Sequence, residues 1–152
     1  MLDKLALVHP VLADRVRRLF AALKAEGYDF IVTQGLRTWD EQNALYAKRP
    51  RVTKAPGGHS QHNFGLAVDV CPDDPTLAGL QLDWNIAHPA WQRMLELAPQ
   101  FKLAEGRQWP TFPDNPHLYP IEIPSTCEIL REKYAQGGVQ GVWAWFDGLV
   151  AA

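Results

Sequence analysis

Cysteine is scarce in this 152-residue chain, which has only Cys71 and Cys127. Two cysteines cannot form the set of disulfides that stabilises small secreted domains, and this excludes that class of fold. We expect two buried thiols, or a single disulfide bridge if the protein is exported. Because alternate residues of a strand share one face, Cys71 is also a candidate metal ligand together with Asp69.

Long apolar runs and an excess of charge of one sign are also absent. No stretch approaches the roughly 18 apolar residues that a membrane-spanning helix needs. Charges and a proline interrupt the N-terminal stretch, MLDKLALVHPVLADRVRRLF, so it has no continuous apolar segment like that of a signal sequence. We therefore expect no integral membrane segment and a protein that stays in the cytoplasm where it is made. The net charge of −2 provides no basic field, so we expect no nucleic-acid partner.

The length and a hydrophobic content of 47% predict one domain, residues 1–152, which we expect to be a monomer. Apolar residues recur with helical spacing between Pro10 and Gly27, and this predicts the first helix. The stretch YDFIVTQG is short, aromatic and β-branched, which predicts a strand. Thr38, with Glu41 three residues later, forms a capping box that begins a second helix.

The second half of the chain predicts two further strands and two further helices. FGLAVDV alternates aliphatic side chains with Ala67 and Asp69, as in a half-buried strand. PAWQRMLELA begins with a proline that suits the first turn of a short helix. We expect an edge strand at about 117–123 and a last helix capped by Ser125, with Glu128 three residues later. The predicted fold class is α+β, a small antiparallel sheet with helices packed around it.

The C-terminal tail, residues 137–152, has the sequence GGVQGVWAWFDGLVAA. Its apolar side chains recur at intervals of three and four residues and form one helical stripe, which we expect to pack on the domain. The alternative is a helix that touches the membrane or the cell wall, because Trp143 and Trp145 point partly off this stripe.

A loop without periodicity, RPRVTKAPGGHSQHN, carries the cations of Arg49, Arg51 and Lys54. It is either a solvated basic loop or a basic rim that faces a substrate. Arg37 lies at the predicted junction between a strand and a helix, where side chains often face a cleft.

Two of the five histidines lie close in sequence to carboxylates. His62 precedes the strand that carries Asp69, and His117 follows Asp114 by three residues in DNPHLY. Two imidazoles and one carboxylate are a common catalytic zinc set, since they fill three tetrahedral positions and leave the fourth for water, whose acidity the metal increases. Asp114 is then placed to accept the proton of that water. His59 is the alternative to His62.

Three segments resemble, in this order and at suitable distances, the zinc peptidases of the D-Ala-D-Ala carboxypeptidase and VanY-like group. They are TQGLRTWDEQNALYAK, GGHSQHNFGLAVDV and FPDNPHLY. The pattern S-x-H-x-x-G-x-A-x-D in the second segment is the most specific part of the resemblance. The chain looks closest to the L-alanyl-D-glutamate peptidase branch, which includes many phage endolysins, and the similarity covers roughly residues 30–120.

The resemblance implies a metal centre and a catalytic carboxylate. Zn²⁺ is the implied cofactor, and its implied ligands are His62, Asp69 and His117. Asp114 corresponds to the catalytic carboxylate of the family. The seven-residue spacing from His62 to Asp69 is that of the family signature, which favours His62 over His59 as the ligand.

The resemblance also implies residues that contact substrate. Arg37 corresponds to the family's substrate-contacting arginine, while Gln42 and Ser60 match polar positions of the motifs and are expected in the pocket. An exposed position on a helix is the alternative for Gln42. Relatives often have a segment rich in Gly and Trp before the last motif, and only Trp109 and Phe112 could replace it in this chain.

The implied substrate and partner is the peptidoglycan stem peptide, cut between L-Ala and D-Glu. We expect an endolysin of a phage that infects Gram-negative bacteria, which waits in the host cytoplasm until the membrane is opened. A D-Ala-D-Ala carboxypeptidase or dipeptidase with the same zinc centre is the first alternative. A non-catalytic module that binds wall fragments or serves in a virion is an alternative from a different class.

Overall fold

A computed structural model describes residues 3–73, 84–106 and 114–152, and at 114 and 115 it describes the backbone alone. Across these ranges the chain forms four α-helices and one four-stranded sheet. The helices are α1 (Pro10–Ala25), α2 (Trp39–Tyr46), α3 (Pro89–Leu97) and α4 (Glu128–Ala151). The strands are β1 (Asp29–Gln34), β2 (Val68–Asp73), β3 (Leu103–Gly106) and β4 (Asp114–Pro120).

Side-chain caps explain where the first three helices begin. The imidazole of His9 accepts a hydrogen bond from the backbone N–H of Val11 at 3.0 Å in front of α1. His88 caps α3 in the same way, and prolines at the start of both helices lose no hydrogen bond there. Thr38 and Glu41 form the predicted capping box of α2.

The sheet is antiparallel, with the strand order β1-β2-β4-β3. The predicted α+β fold, with a small antiparallel sheet surrounded by helices, is confirmed. In the register of the two inner strands, Asp69 of β2 lies opposite His117 of β4. Strand pairing therefore brings together two predicted metal ligands that are distant in the sequence.

β4 lies inside the sheet, so the prediction of an edge strand at 117–123 was wrong. The inner position tolerates Pro116 because pairing with β3 is irregular at that point, where the register moves from Leu118 to Asp114. A proline in such an irregularity removes no regular ladder hydrogen bond. The edge is occupied instead by β3, a four-residue strand that the sequence did not predict.

Two clusters of buried apolar side chains hold these elements together. The first cluster lies between α1, α3 and the sheet and includes Leu12, Leu19, Val70, Trp91 and Leu118. The second cluster joins the segment before β2 to α4 and includes Phe64, Leu66, Leu130, Val142 and Phe146. Cys71 lies in the first cluster and Cys127 in the second, so the two thiols are buried, separate and unbridged.

α4 begins two residues later than predicted. Its first residue is Glu128, and the residue before it, Cys127, makes no side-chain capping hydrogen bond, so the predicted cap at Ser125 was wrong. Tertiary contacts hold the preceding segment in turns: Glu122 pairs with a guanidinium of α1, and the carbonyl of Pro124 accepts a hydrogen bond from the segment before β2. These contacts override the local capping pattern.

The tail follows a break in α4 at Gly137 and Gly138, where the backbone is not helical. Beyond the break, Phe146 is fully buried in the second cluster. The indole N–H of Trp143 donates to the carbonyl oxygen of Phe64 at 2.8 Å, so this side chain faces the domain. Among the residues that the structure describes, none of the helices has the length and hydropathy to cross a membrane.

Candidate metal centre

A short 3-10 turn, Gln61–Phe64, carries His62. Ser60 caps the turn, and its hydroxyl accepts a hydrogen bond from the backbone N–H of His62 at 3.3 Å. Gly65 ends the turn with a φ of 68°, a left-handed conformation that favours glycine. The Ser and the Gly of the S-x-H-x-x-G pattern therefore shape the turn that points His62 into the interior, where the residue is 2% exposed.

One ring nitrogen of His62 forms a hydrogen bond with the main chain. Nδ1 lies 2.8 Å from the carbonyl oxygen of Gly35. Because a carbonyl can only accept, Nδ1 carries the proton and Nε2 keeps its lone pair. Nε2 lies 3.2 Å from Oδ1 of Asp69. A hydrogen bond of this kind orients histidines that bind metals.

His117 is held in the same way by a side chain. Its Nε2 lies 2.7 Å from Oε1 of Gln61, which leaves Nδ1 to face Asp69 Oδ1 at 3.4 Å. The imidazole is 3% exposed and meets the ring of His62 edge to face, with the ring centroids 5.0 Å apart. Both histidines therefore direct a lone pair towards one carboxylate oxygen.

The three ligand atoms fit a tetrahedral zinc site. Nε2 of His62, Oδ1 of Asp69 and Nδ1 of His117 all lie within 4.8 Å of one another. Bond lengths of about 2.05 Å would place tetrahedral zinc ligands roughly 3.3 Å apart, and the two distances to Asp69 are 3.2 and 3.4 Å. Two lone pairs that face a carboxylate oxygen repel it unless a proton or a metal cation lies between them. The donor set therefore suits a cation such as zinc.

Asp69 is ionised in this setting. Burial alone would raise the pKa of its carboxyl, but imidazoles of His62 and His117 that carry a proton on the ring nitrogen facing Asp69 attract the carboxylate and donate hydrogen bonds to it, which holds that pKa well below its usual range. A metal ion bound between these groups would act in the same direction. Cys71, the fourth candidate ligand, is fully buried in the first apolar cluster and does not belong to the group.

Arg37 lies beside the ligand group at the junction between β1 and α2. Its Nη2 is 3.9 Å from Oδ2 of Asp69, and its Nη1 donates to Oε1 of Gln42 at 2.8 Å. Gln42 is fully buried, and its amide N–H donates to the carbonyl of Ala55 at 2.7 Å. The alternative of an exposed Gln42 was wrong. Its amide supports Arg37, and a direct contact with substrate stays a prediction.

The ligand group lines an open cleft of about 830 Å³. The polar groups around it include Arg37, Lys54, His59, Ser60, Glu128 and Arg131. Cys127 also lines the cleft, and burial raises the pKa of its thiol to about 12, so the thiol is protonated near neutral pH.

The three cations of the basic loop differ in location, and only one of them lines the cleft. Lys54 lines the cleft, whereas Arg51 lies over the ring of Tyr46 at 5.3 Å and Arg49 donates to main-chain carbonyls at the end of α2. His59 is exposed, with Nδ1 3.2 Å from Nη1 of Arg131, so it belongs to the cleft wall and not to the ligand group.

Three predicted positions have no described side chain. Asp114 is the first residue of β4, three residues before His117, and its catalytic role stays a prediction. Trp109 and Phe112, expected to form part of the pocket wall, lie outside the described residues.

Several supporting residues were not predicted. Gln61 bonds His117, Gly35 bonds His62, and Asn63 ties the turn to the arginine junction through a hydrogen bond from Nδ2 to the carbonyl of Arg37 at 3.0 Å. Gln61 and Asn63 flank His62 in the motif, which is the signal that could have drawn attention to them. Gly35 acts through its main-chain carbonyl, which every residue type has, so the sequence carries no signal for this contact.

The model of the family described as VanY, D-alanyl-D-alanine carboxypeptidase, matches residues 5–108. The chain belongs to this family. The match ends before β4 and so includes two of the three candidate ligands. The expected family and enzyme class are thereby confirmed: the chain is a VanY-family peptidase.

Individual relatives of this VanY-family chain agree with that assignment. It is 33% identical over 120 residues to the peptidoglycan L-alanyl-D-glutamate endopeptidase CwlK of Bacillus subtilis strain 168, which covers 73% of this chain and 72% of the relative. The structure of the L-Ala D-Glu endopeptidase ChiX of Serratia marcescens is similar, with a TM-score of 0.58, 28% identity and coverage of 77% and 83%. The D,D-pentapeptidase VanY, solved in complex with Zn(II), shares the fold at 21% identity, a TM-score of 0.54 and coverage of 89% and 83%.

Proposed function

We propose that this protein is a zinc peptidase that hydrolyses the bond between L-Ala and D-Glu in peptidoglycan stem peptides. The observation that carries the proposal is the convergence of three metal-ligand side chains beside Arg37 in one open cleft. The similarity to CwlK and ChiX, both described as L-Ala-D-Glu endopeptidases, supports the choice of bond.

His62, Asp69 and His117 are the residues that would hold zinc. Bound there, zinc would act as a Lewis acid on a carbonyl oxygen and make a water molecule more acidic. The chain's own contribution is to present two oriented nitrogen lone pairs and one ionised carboxylate oxygen. The solved complex of VanY with Zn(II) supports zinc over other divalent ions.

Arg37 supplies positive charge beside the ligand group. Because Gln42 holds its guanidinium, the cation is in position before the substrate arrives. It stabilises the negative charge that develops on the scissile carbonyl oxygen, or it holds a carboxylate of the substrate. Asp114 acts as general base and then general acid, accepting a proton from water and passing it to the leaving amine.

The charges in the cleft suit an anionic peptide. Arg37, Lys54 and Arg131 line the cleft together with the carboxylates of Asp69 and Glu128, although the net charge of the chain is −2. The stem peptide carries free carboxylates, so local positive charge favours its binding without attracting anions to the rest of the surface.

One soluble substrate tests the choice of bond. An N-acetylmuramoyl pentapeptide contains both the L-Ala–D-Glu bond and a terminal D-Ala–D-Ala bond, and mass spectrometry distinguishes the products. We expect N-acetylmuramoyl-L-Ala to accumulate, and we expect a chelator or His117→Ala to abolish its release. Release of free D-Ala instead would contradict the proposed specificity.

Two other candidates would give a different result with the same substrate. A D-Ala-D-Ala carboxypeptidase or dipeptidase is the activity in the description of the matched family, and it would release D-Ala from the same substrate. A non-catalytic wall-binding or virion module would release neither product. The three converging ligand atoms speak against that module, because binding alone does not require them.

The sequence resemblance alone supports a biological setting. We propose a monomeric phage endolysin that collects in the host cytoplasm and reaches the wall after the membrane is opened. Production in a Gram-negative cytoplasm should leave cells intact until chloroform is added, and the optical density should then fall. A matched culture that produces His117→Ala should not lyse. Stable optical density of the wild-type culture after chloroform treatment would contradict a lytic role.

A further inference from the structure

Gln61 is a buried polar residue to which neither the family motif nor the proposed mechanism assigns a role. It is 2% exposed and lies on the 3-10 turn that carries His62. Its amide oxygen faces Nε2 of His117 at 2.7 Å, and its amide nitrogen faces the carbonyl oxygen of Pro124 at 2.8 Å. We propose that Gln61 is a positioning residue that fixes His117 in the tautomer whose Nδ1 can bind metal, an inference that rests on the proposed zinc site.

The direction of the Gln61 amide follows from Pro124. A main-chain carbonyl only accepts hydrogen bonds, so the NH₂ of Gln61 must face it. The amide oxygen must then face His117, and an oxygen can bond Nε2 only if Nε2 carries the proton. Nδ1 of His117 is left with its lone pair directed at Asp69.

The opposite arrangement is unfavourable at Pro124 and closes the site to a metal ion. If the amide were reversed, its oxygen would face the carbonyl oxygen of Pro124 and its NH₂ would face Nε2 of His117. Nδ1 would then carry the proton and point it at Asp69, where it would block a metal ion. Burial makes an unpaired donor or acceptor costly, so the carbonyl of Pro124 sets the tautomer of a side chain that it does not touch.

Residues of one turn therefore orient both imidazoles. His62 is oriented by its own place in the turn and by the carbonyl of Gly35, while the neighbouring Gln61 reaches across to His117 on β4. Partners of this kind typically contribute 10- to 100-fold to metal affinity or activity.

Gln42 provides a matched control, because it is built in the same way around a different functional group. Its Oε1 accepts from Arg37 at 2.8 Å, and its Nε2 donates to the carbonyl of Ala55 at 2.7 Å. Both glutamines are buried and both connect a functional side chain to a loop carbonyl. Loss of the Gln42 amide should disturb Arg37 and leave the zinc ligands unchanged.

The experiment measures zinc affinity by chelator competition in Gln61→Leu, Gln61→Glu and Gln42→Leu. We expect Gln61→Leu to bind zinc about 10- to 100-fold more weakly than wild type. Gln61→Glu keeps an oxygen acceptor for His117 and should retain more affinity than Gln61→Leu. Gln42→Leu should bind zinc as wild type does while its kcat/KM falls. Zinc affinity within twofold of wild type in Gln61→Leu, or an equal loss in Gln42→Leu, would overturn the inference.

A second readout needs no variant and no activity. The ¹⁵N shifts of His117 in metal-free wild-type protein, at a pH where imidazoles are neutral, distinguish a protonated Nε2 from a protonated Nδ1. We expect the proton on Nε2, and a proton on Nδ1 would overturn the role of Gln61. If wild-type protein bound no zinc, the proposed function would fail, and the ¹⁵N spectrum would still decide the tautomer.

Discussion

Replacing Phe146 by alanine would measure how far the C-terminal tail belongs to the domain. Phe146 is fully buried in the second apolar cluster, and its ring meets that of His9 edge to face at a centroid distance of 4.7 Å. Truncating a buried phenylalanine costs about 3–5 kcal/mol in the free energy of unfolding. For a chain of this size, 1 kcal/mol lowers the melting temperature by about 2–4 °C, so we expect a fall of roughly 6–20 °C.

The assay is thermal unfolding of the metal-free protein, followed by circular dichroism, with Gln140→Ala as the control. Gln140 is exposed on the same helix, and its replacement should change the free energy of unfolding by no more than about 0.5 kcal/mol. Because Trp143 bonds the carbonyl of Phe64 at the end of the His62 turn, Phe146→Ala should reduce activity equally on peptidoglycan and on a short soluble peptide. An unchanged melting temperature, with activity lost on the polymer alone, would refute the packing role and indicate a wall- or membrane-binding helix.

Three further predictions follow from the site and its surroundings. His62→Ala or His117→Ala should remove zinc and lower thermal stability in zinc, and elemental analysis that still finds one zinc per chain would place the site elsewhere. Asp114→Asn should reduce turnover on the order of 100-fold or more while zinc stays bound, and loss of zinc would make Asp114 a ligand. A hydrogen bond from Arg15 holds the pKa of Glu122 below its usual range, so the stabilisation is present above about pH 4 and is lost as the pH falls through the folded pKa. Glu122→Gln should therefore cost about 1–3 kcal/mol at pH 7, measured by urea unfolding, and a cost that persists undiminished at pH 3 would contradict the pairing.

Local chemistry explains which elements were predictable. The capping box at Thr38 and the proline at the start of α1 act within one turn of the chain, so the sequence alone marks those helix ends. β3 escaped prediction because four residues show no periodicity and the strand exists only through pairing with β4. The cap at Ser125 failed because Glu122 and Pro124 are held in turns by residues far away in sequence.

In the candidate site, the ligands were predictable from the sequence and the contacts that orient them were not. His62, Asp69 and His117 were predictable because their side chains have the chemistry of a zinc set and a recognisable spacing. The hydrogen bonds that orient these side chains were not predictable from the sequence. Gly35 acts through its main chain, and Gln61 contacts His117, which lies 56 residues away in sequence. Such contacts become visible only when the register of the sheet is known.

We propose that the metal centre cleaves the L-Ala–D-Glu bond of peptidoglycan. The most direct measurement is mass spectrometry of the soluble products from purified peptidoglycan, digested by the zinc-loaded protein with and without a chelator. We expect peptides that begin with D-Glu, glycan strands that retain L-Ala, and no release in the chelated sample. Free D-Ala as the product would contradict this specificity, and the same peptides released in the chelated sample after its zinc content has fallen to zero would contradict the role of zinc.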